Sequence, residues 1–273
     1  MSVIAISRGS LSAATKLAEG LRRELGGAVI TREQVLEAAD RYGIAESGLE
    51  MRHVVAQHPP GFWEKYADAR KHYLTCFKAA LFDFVLQGPI IYHGNLAHLL
   101  LNEVPFVLRV RVNAPLENRV EVMMAESGLS RQDAMCRIEA IDEERRRWTA
   151  FLYDVYATDP MHFDIVLNLS RMTIQDGIRM IAGALENEQF RRTEEALRTV
   201  RDMHLSTIAE IRLMSNPDTY GMALSVTADS SSGRVTVLGR FPVGDAKVIE
   251  SGIRSALSGL GSVKEIQARV EVG

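Results

Sequence analysis

The chain opens with Val3-Ile4-Ala5-Ile6 and runs directly into Ser7-Arg8-Gly9-Ser10-Leu11-Ser12-Ala13-Ala14-Thr15-Lys16. Four apolar residues suit a short buried strand, and Leu17, Ala18, Leu21 and Leu25 then recur at helical spacing. A strand that enters a helix through a small-residue loop points backbone N–H groups outward at the helix N-terminus, a geometry that attracts anions. Gly26-Gly27 stops the helix, and Ala28-Val29-Ile30 gives a second short strand. Thr31, with Gln34 three residues on, predicts the N-cap of the next helix. Strand, helix, strand, helix is the grammar of an α/β fold.

Further strands are predicted at 90–93, 106–112 and 165–169, separated by helices at 66–87, 117–126, from Ser130 and Asp133 through the charged run 142–147, and from Thr173 to 185. If the sheet is parallel, every strand delivers its C-terminal end to the edge that carries the first loop. Residues 186–201 are highly charged and read as a helical linker. Beyond them the pattern changes: a helix at 206–214, a strand at 222–226, a turn at Ser230-Ser231-Ser232-Gly233, a returning strand at 234–239, a helix at 245–257 and a strand at 263–272. The expected organisation is an α/β domain over 1–185, the charged linker over 186–201, and a small α+β domain over 202–273. A domain of that size is marginal alone and is expected to pack on a neighbour or partner.

A net charge of −3 provides no global basic field, so nucleic acid is not an expected partner and any phosphate must be held by local clusters. The longest apolar run, around Ala79 to Val85, is broken by Asp83, and no membrane span is expected. Cys76 and Cys136 lack paired spacing, which fits a reducing cytoplasm. The N-terminus has no charged region ahead of its apolar run, so no signal peptide is expected.

The first loop is a degenerate phosphate cradle. Walker A reads G-x-x-x-x-G-K-[ST]; here Gly9 stands as glycine while Leu11, Ala13 and Ala14 occupy positions where the wrap needs backbone freedom. Arg8, Ser10, Ser12, Thr15 and Lys16 could together offer hydroxyls, amides and two cations. Equally, Ser10 or Ser12 could only cap the helix, with Lys16 on its solvated face, because capping and anion binding use one geometry. At the next strand end, Tyr92-His93-Gly94-Asn95, with His98 following, offers neutral hydrogen-bonding groups; hydrogen-bonded structural histidines are the competing reading. No metal cluster is visible, and Asp164 is the carboxylate that could reach a magnesium ion if the fold brings it near. Aromatic positions from Phe62 to Phe84 suit core packing, and Tyr66, Arg70 and His72 lie in the same helical region.

Residues 3 to about 181 resemble the cytidylate kinase-like family, P-loop proteins related to nucleoside monophosphate kinases. The resemblance rests on Ile6-Ser7-Arg8 before the small-residue loop, the strand ending at Gly94, VRVNAPLENRV at 110–120, DEERRRW at 142–148 and DPMHFDIVLNLSRM at 159–172. It implies a five-stranded parallel core flanked by helices, ATP with Mg2+ on the first loop (Arg8, Gly9, Ser10, Ser12, Thr15, Lys16), a monophosphate acceptor site (His93, Asn95, Arg70) and an arginine-bearing lid. Arg119 and the run 145–147 match the lid segments. Successive helix residues differ by about 100° in direction, so the three arginines cannot face one ligand together. Arg145, three residues after Asp142, and Arg119 are the expected catalytic pair; the competing reading is a solvated helix end whose arginines pair with Asp142, Glu143 and Glu144. Where the family carries an arginine after the glycine, this chain has Asn95.

Residues from about 200 resemble a BON module, a small bacterial domain associated with lipid surfaces or ligand binding, through Gly233-x-Val235-x-Val237-Leu238-Gly239 and Gly261-Ser262-Val263. Two functions follow as expectations. One is phosphoryl transfer from ATP to a nucleoside monophosphate, of CMP type by resemblance, on a degenerate P-loop. The other is a non-catalytic nucleotide or anion sensor whose C-terminal module binds a protein partner or lipid surface.

Overall fold

A computed structural model describes residues 2–8, 11–45, 60–94, 97–153 and 159–272, and it divides into two compact units. The first comprises Met1–Val35, Arg52–Trp63 and Gln87–Arg192; the second comprises Leu36–Met51, Glu64–Leu86 and Thr193–Gly273. The second unit thus takes residues 36–51 and 64–86 from the half of the chain expected to form the first domain. No helix among the described residues is long and apolar enough to cross a membrane.

The first unit is built on five strands: β1 (Val3–Arg8), β2 (Ala28–Thr31), β3 (Ile90–His93), β4 (Val107–Asn113) and β5 (Ile165–Asn168), in the order β2-β3-β1-β4-β5. Every neighbouring pair is parallel. Helix α1 (Leu11–Leu25) and α7 (Ile174–Ala184) cover one face, where Ile4, Ile6, Leu108, Val110 and Val112 meet Leu17, Leu21, Ile178 and Ile181 in a continuous apolar core. The alternation of β1 and β4 dictates that contact, since residues two apart share a face.

Local signals set the helix starts. Thr31 and Gln34 cap α2 (Arg32–Ala39) reciprocally, Ser130 accepts from the Asp133 amide at α6 (Arg131–Tyr153), and Thr173 with Asp176 forms a full capping box at α7. Helix α5 (Leu116–Ser127) ends at Gly128, and α5 with α6 forms a helical hairpin around Val120, Ala134 and Ile138.

In the second unit, α3 (Ala67–Gln87, in this unit up to Leu86) and α8 (Glu194–Ser215) accompany a three-stranded sheet of order β6-β7-β8, where β6 is Leu224–Asp229, β7 Arg234–Phe241 and β8 Glu265–Val272. β6 and β7 pair antiparallel; β7 and β8 pair parallel, joined through α9 (Ala246–Leu257). One core runs through Leu205, Ala209, Leu213, Val235, Val237, Ile253 and Leu257. Residues 186–201 form no separate linker helix. A short 3-10 turn occupies Glu188–Phe190, and from Glu194 the chain is already in α8, which continues unbroken to Ser215. Leu197 and Val200 are buried and extend the stripe of Leu205, Ala209 and Leu213, so the charges are the outer face of a packed helix.

Candidate functional site

The parallel register places the strand ends along one edge of the first unit. Arg8 ends β1 level with Val112, and Asn113 pairs with Asn168 at the ends of β4 and β5. His93 ends β3, paired with Ile6 and Thr31. The connection from β1 to α1 consists of Gly9 and Ser10, which lie outside the described residues, and Ser12 is the second residue of α1. Ala14 is fully buried in the core, whereas Thr15 and Lys16 are exposed; the Lys16 ammonium stands 3.9 Å from the Glu126 carboxylate.

The two arginines expected to form a catalytic pair come together. Arg119, on the second turn of α5, donates twice to Asp142 of α6, at 2.7 Å from each nitrogen, and its side chain is only 16% exposed. Arg145, one turn beyond Asp142, has a guanidinium nitrogen 4.0 Å from the same carboxylate. Arg111 joins them from β4: burial pulls its pKa down, while the charge of Asp142 acts to raise it. Its Nε donates to Asn113 Oδ1 at 2.9 Å, and its guanidinium lies over the Phe163 ring. Three guanidinium groups thus share the influence of one carboxylate, and fork-shaped donors of this kind match phosphate oxygens.

Arg111 and Asn113 were not among the residues expected from the sequence. Their signal lies in the alternation Arg109, Arg111, Asn113, which makes one face of β4 polar while Leu108, Val110 and Val112 make the other apolar. In a sheet covered on both faces, such a polar stripe marks a site.

The residues expected to hold an acceptor do not all lie among the described residues. His93 is buried, Asn95 lies outside the described residues, and Arg70 belongs to α3 of the second unit. At Gly94 a Cβ would come 2.4 Å from the hydroxyl of the buried Tyr92, so this corner admits no side chain without moving that ring. His98, in α4 (Ala97–Leu100), is not the hydrogen-bonded histidine expected. It is 1% exposed, stacks on Phe163 with centroids 4.3 Å apart, and neither ring nitrogen has a hydrogen-bond partner among the described residues. Burial foremost, then the charges of His162, Arg111 and Arg109, lower its pKa to about 3, so it is neutral.

Asp164 does not reach the loop edge. It precedes β5 and accepts from the Arg109 amide at 2.7 Å and from the guanidinium at 3.1 and 2.7 Å. Arg109 is level with Ala5, three residues short of Arg8, or about 10 Å along the strands. Burial pushes the Asp164 carboxyl up, but the bonds from Arg109 prevail and hold it below the usual range.

The family model described as the cytidylate kinase-like family matches residues 3–171, more than half of the chain. The chain belongs to the cytidylate kinase-like family. A cytidylate kinase of Pyrobaculum aerophilum is 25% identical over 182 residues, covering 66% of this chain and 90% of that protein. Among solved structures, an uncharacterized protein from Eubacterium ventriosum superposes with a TM-score of 0.53 at 17% identity, covering 68% of this chain and 98% of that one, a likeness of fold alone. The matched region contains β1 to β5, the α5–α6 hairpin and all three arginines around Asp142, so the family's nucleotide kinase-like fold and the cationic cluster coincide.

Proposed function

We propose that the first unit transfers the γ-phosphoryl group of ATP to a nucleoside monophosphate, with CMP as the acceptor to which the family relation points. The observation that carries this reading is the meeting of Arg119 and Arg145 on Asp142, beside Arg111, on the helical hairpin that follows β4. In the reaction an acceptor phosphate oxygen bonds to the γ-phosphorus as the bridge to the β-phosphate breaks, and ADP leaves. Positioning and charge neutralisation supply most of the catalysis. Arg119 and Arg145 exchange Asp142 for the transferring phosphoryl oxygens. Arg8, Gly9, Ser10, Ser12, Thr15 and Lys16 hold the ATP phosphates at the start of α1, and His93 and Asn95 orient the acceptor. Arg109 engages Asp164 away from the edge, so this carboxylate does not face the ATP phosphates.

A second reading has its own support. Ala14 is sealed in the core and Lys16 lies near Glu126 on the surface, an arrangement suited to a unit that senses a nucleotide or anion without turnover. In that reading the C-terminal module, BON-like in sequence, presents the response to a protein or lipid surface.

A coupled ADP assay over the common nucleoside monophosphates, paired with calorimetric titration of Mg-ATP, separates the readings. Phosphoryl transfer predicts CMP-dependent ADP production that Arg145→Ala lowers roughly a thousandfold. Binding of ATP with no ADP from any monophosphate defeats the kinase reading in favour of sensing, and absence of ATP binding defeats both.

A further inference from the structure

The three-stranded sheet of the second unit ends on β8, whose one neighbour among the described residues is β7. The Glu265 amide donates to the Gly233 carbonyl, so Glu265, Gln267, Arg269 and Glu271 turn their amides and carbonyls toward β7, while Ile266, Ala268 and Val270 turn theirs outward. One outward group is occupied: the Arg254 guanidinium of α9 donates to the Ile266 carbonyl at 2.7 Å. The outward amides and carbonyls of Ala268 and Val270 meet no further strand among the described residues.

An edge of this kind pairs with another strand unless something blunts it, such as a short strand, a proline, a bulge or an inward-pointing charge. β8 has eight residues and no proline, and its register with β7 runs unbroken from Glu265 to Val272, which leaves no bulge. Its inward side chains Ile266, Ala268 and Val270 are apolar and only half-buried, whereas Val235 and Val237, level with Ile266 and Ala268 on β7, are fully buried. A further strand would complete their cover.

The exposed face of β8 selects the partner. Glu265 accepts from Arg234 and Gln267, and Glu271 accepts from Arg240. Arg269, exposed on the same face, has no ionic or hydrogen-bonding partner among the described residues. When a second β8 runs antiparallel to the first about a two-fold axis at Gln267, each Arg269 lies directly opposite the partner's Glu265, a carboxylate with acceptor capacity beyond its present bonds. In the same register Ile266 stands opposite the partner's Ala268, and these outward-turned residues exchange backbone hydrogen bonds. An axis at Ala268 would set Glu265 against the partner's Glu271, and an axis at Arg269 would oppose two guanidinium groups. Such self-complementarity is what a two-fold interface requires.

We propose that two copies of the chain associate through β8, antiparallel about Gln267, so that their small sheets become one continuous sheet. The strand belongs wholly to the second unit, and the pairing does not depend on the phosphoryl-transfer reading.

Sedimentation equilibrium of the full chain tests it. The expected result is a reversible monomer–dimer equilibrium with a dissociation constant below about 100 μM. Ala268→Pro removes an outward amide at a position where an edge strand accepts proline, and should weaken association at least tenfold. Arg269→Glu and Glu265→Lys each set like charges across the axis and should each weaken self-association about tenfold. An equimolar mixture of those two variants should regain association, because the mixed pair restores opposite charges at both positions. Should Ala268→Pro fail to fold, the charge-exchange pair decides alone. The proposal is overturned if the full chain stays monomeric to that concentration, if a folded Ala268→Pro or Arg269→Glu associates as tightly as the unaltered chain, or if the mixture associates no better than either variant by itself.

Discussion

His98 shows how much one side chain can impose on the first unit. Its ring is sealed against Phe163 and surrounded by His162, Arg109 and Arg111, so protonation would place a positive charge where two cations already stand. A histidine whose folded pKa is about 3, against an ordinary 6.5, binds its proton more readily when unfolded. Its contribution to stability is therefore full above about pH 6.5 and is lost as pH falls toward 3, at roughly 1.4 kcal/mol per pH unit within that window. His98→Phe keeps the stack and removes the proton; urea denaturation at a series of pH values should show the acid-side slope reduced by about one proton. Asp83 is the corresponding residue in the second unit. It is the charge that breaks the longest apolar run, and the structure gives its reason: Arg41 pairs with it, the Tyr42 hydroxyl donates to it at 2.9 Å, and His204 Nε2 lies 3.1 Å away. Asp83→Ala removes the partner of Arg41 and the charged acceptor of the half-buried Tyr42 hydroxyl, leaving Tyr42 and His204 to each other at 3.3 Å, an expected loss of about 2 kcal/mol by chemical denaturation.

Elements were legible wherever the signal was local. The five strands of the first unit follow from their apolar runs, Thr31 caps the helix it was expected to cap, and Ser130, Thr173 and Asp245 cap helices expected to begin at them. The turn at 230–233 is another such case. Gly233 has φ +73°, and a Cβ there would lie 2.9 Å from the Ser262 carbonyl oxygen, so Gly233→Ala should cost about 1–2 kcal/mol in equilibrium unfolding. What the sequence did not reveal depends on distant partners. The charged run at 186–201 resembled a linker because its surface charges outnumber Leu197 and Val200, whose burial only the packed second unit reveals. Arg119 and Arg145 could be singled out along the chain, but their common carboxylate and the contribution of Arg111 needed the hairpin folded against β4. Asp164 misled for the same reason: its tie to Arg109 crosses between two strands.

The chain passes repeatedly between its two units, and α3 of the second unit leads through Gly88-Pro89 directly into β3, the strand that ends at His93. If β1 to β5 with the α5–α6 hairpin form a phosphoryl-transfer unit, one ligand must engage the first loop and the arginine cluster together. The most direct measurement is a crystal structure with a bisubstrate analogue in which adenosine and cytidine are linked by a polyphosphate chain. The account predicts density running from the start of α1 to Arg119 and Arg145, with those guanidinium groups turned from Asp142 onto phosphate oxygens. Density that leaves both arginines on Asp142, or no density at the first loop at saturating analogue, would contradict it.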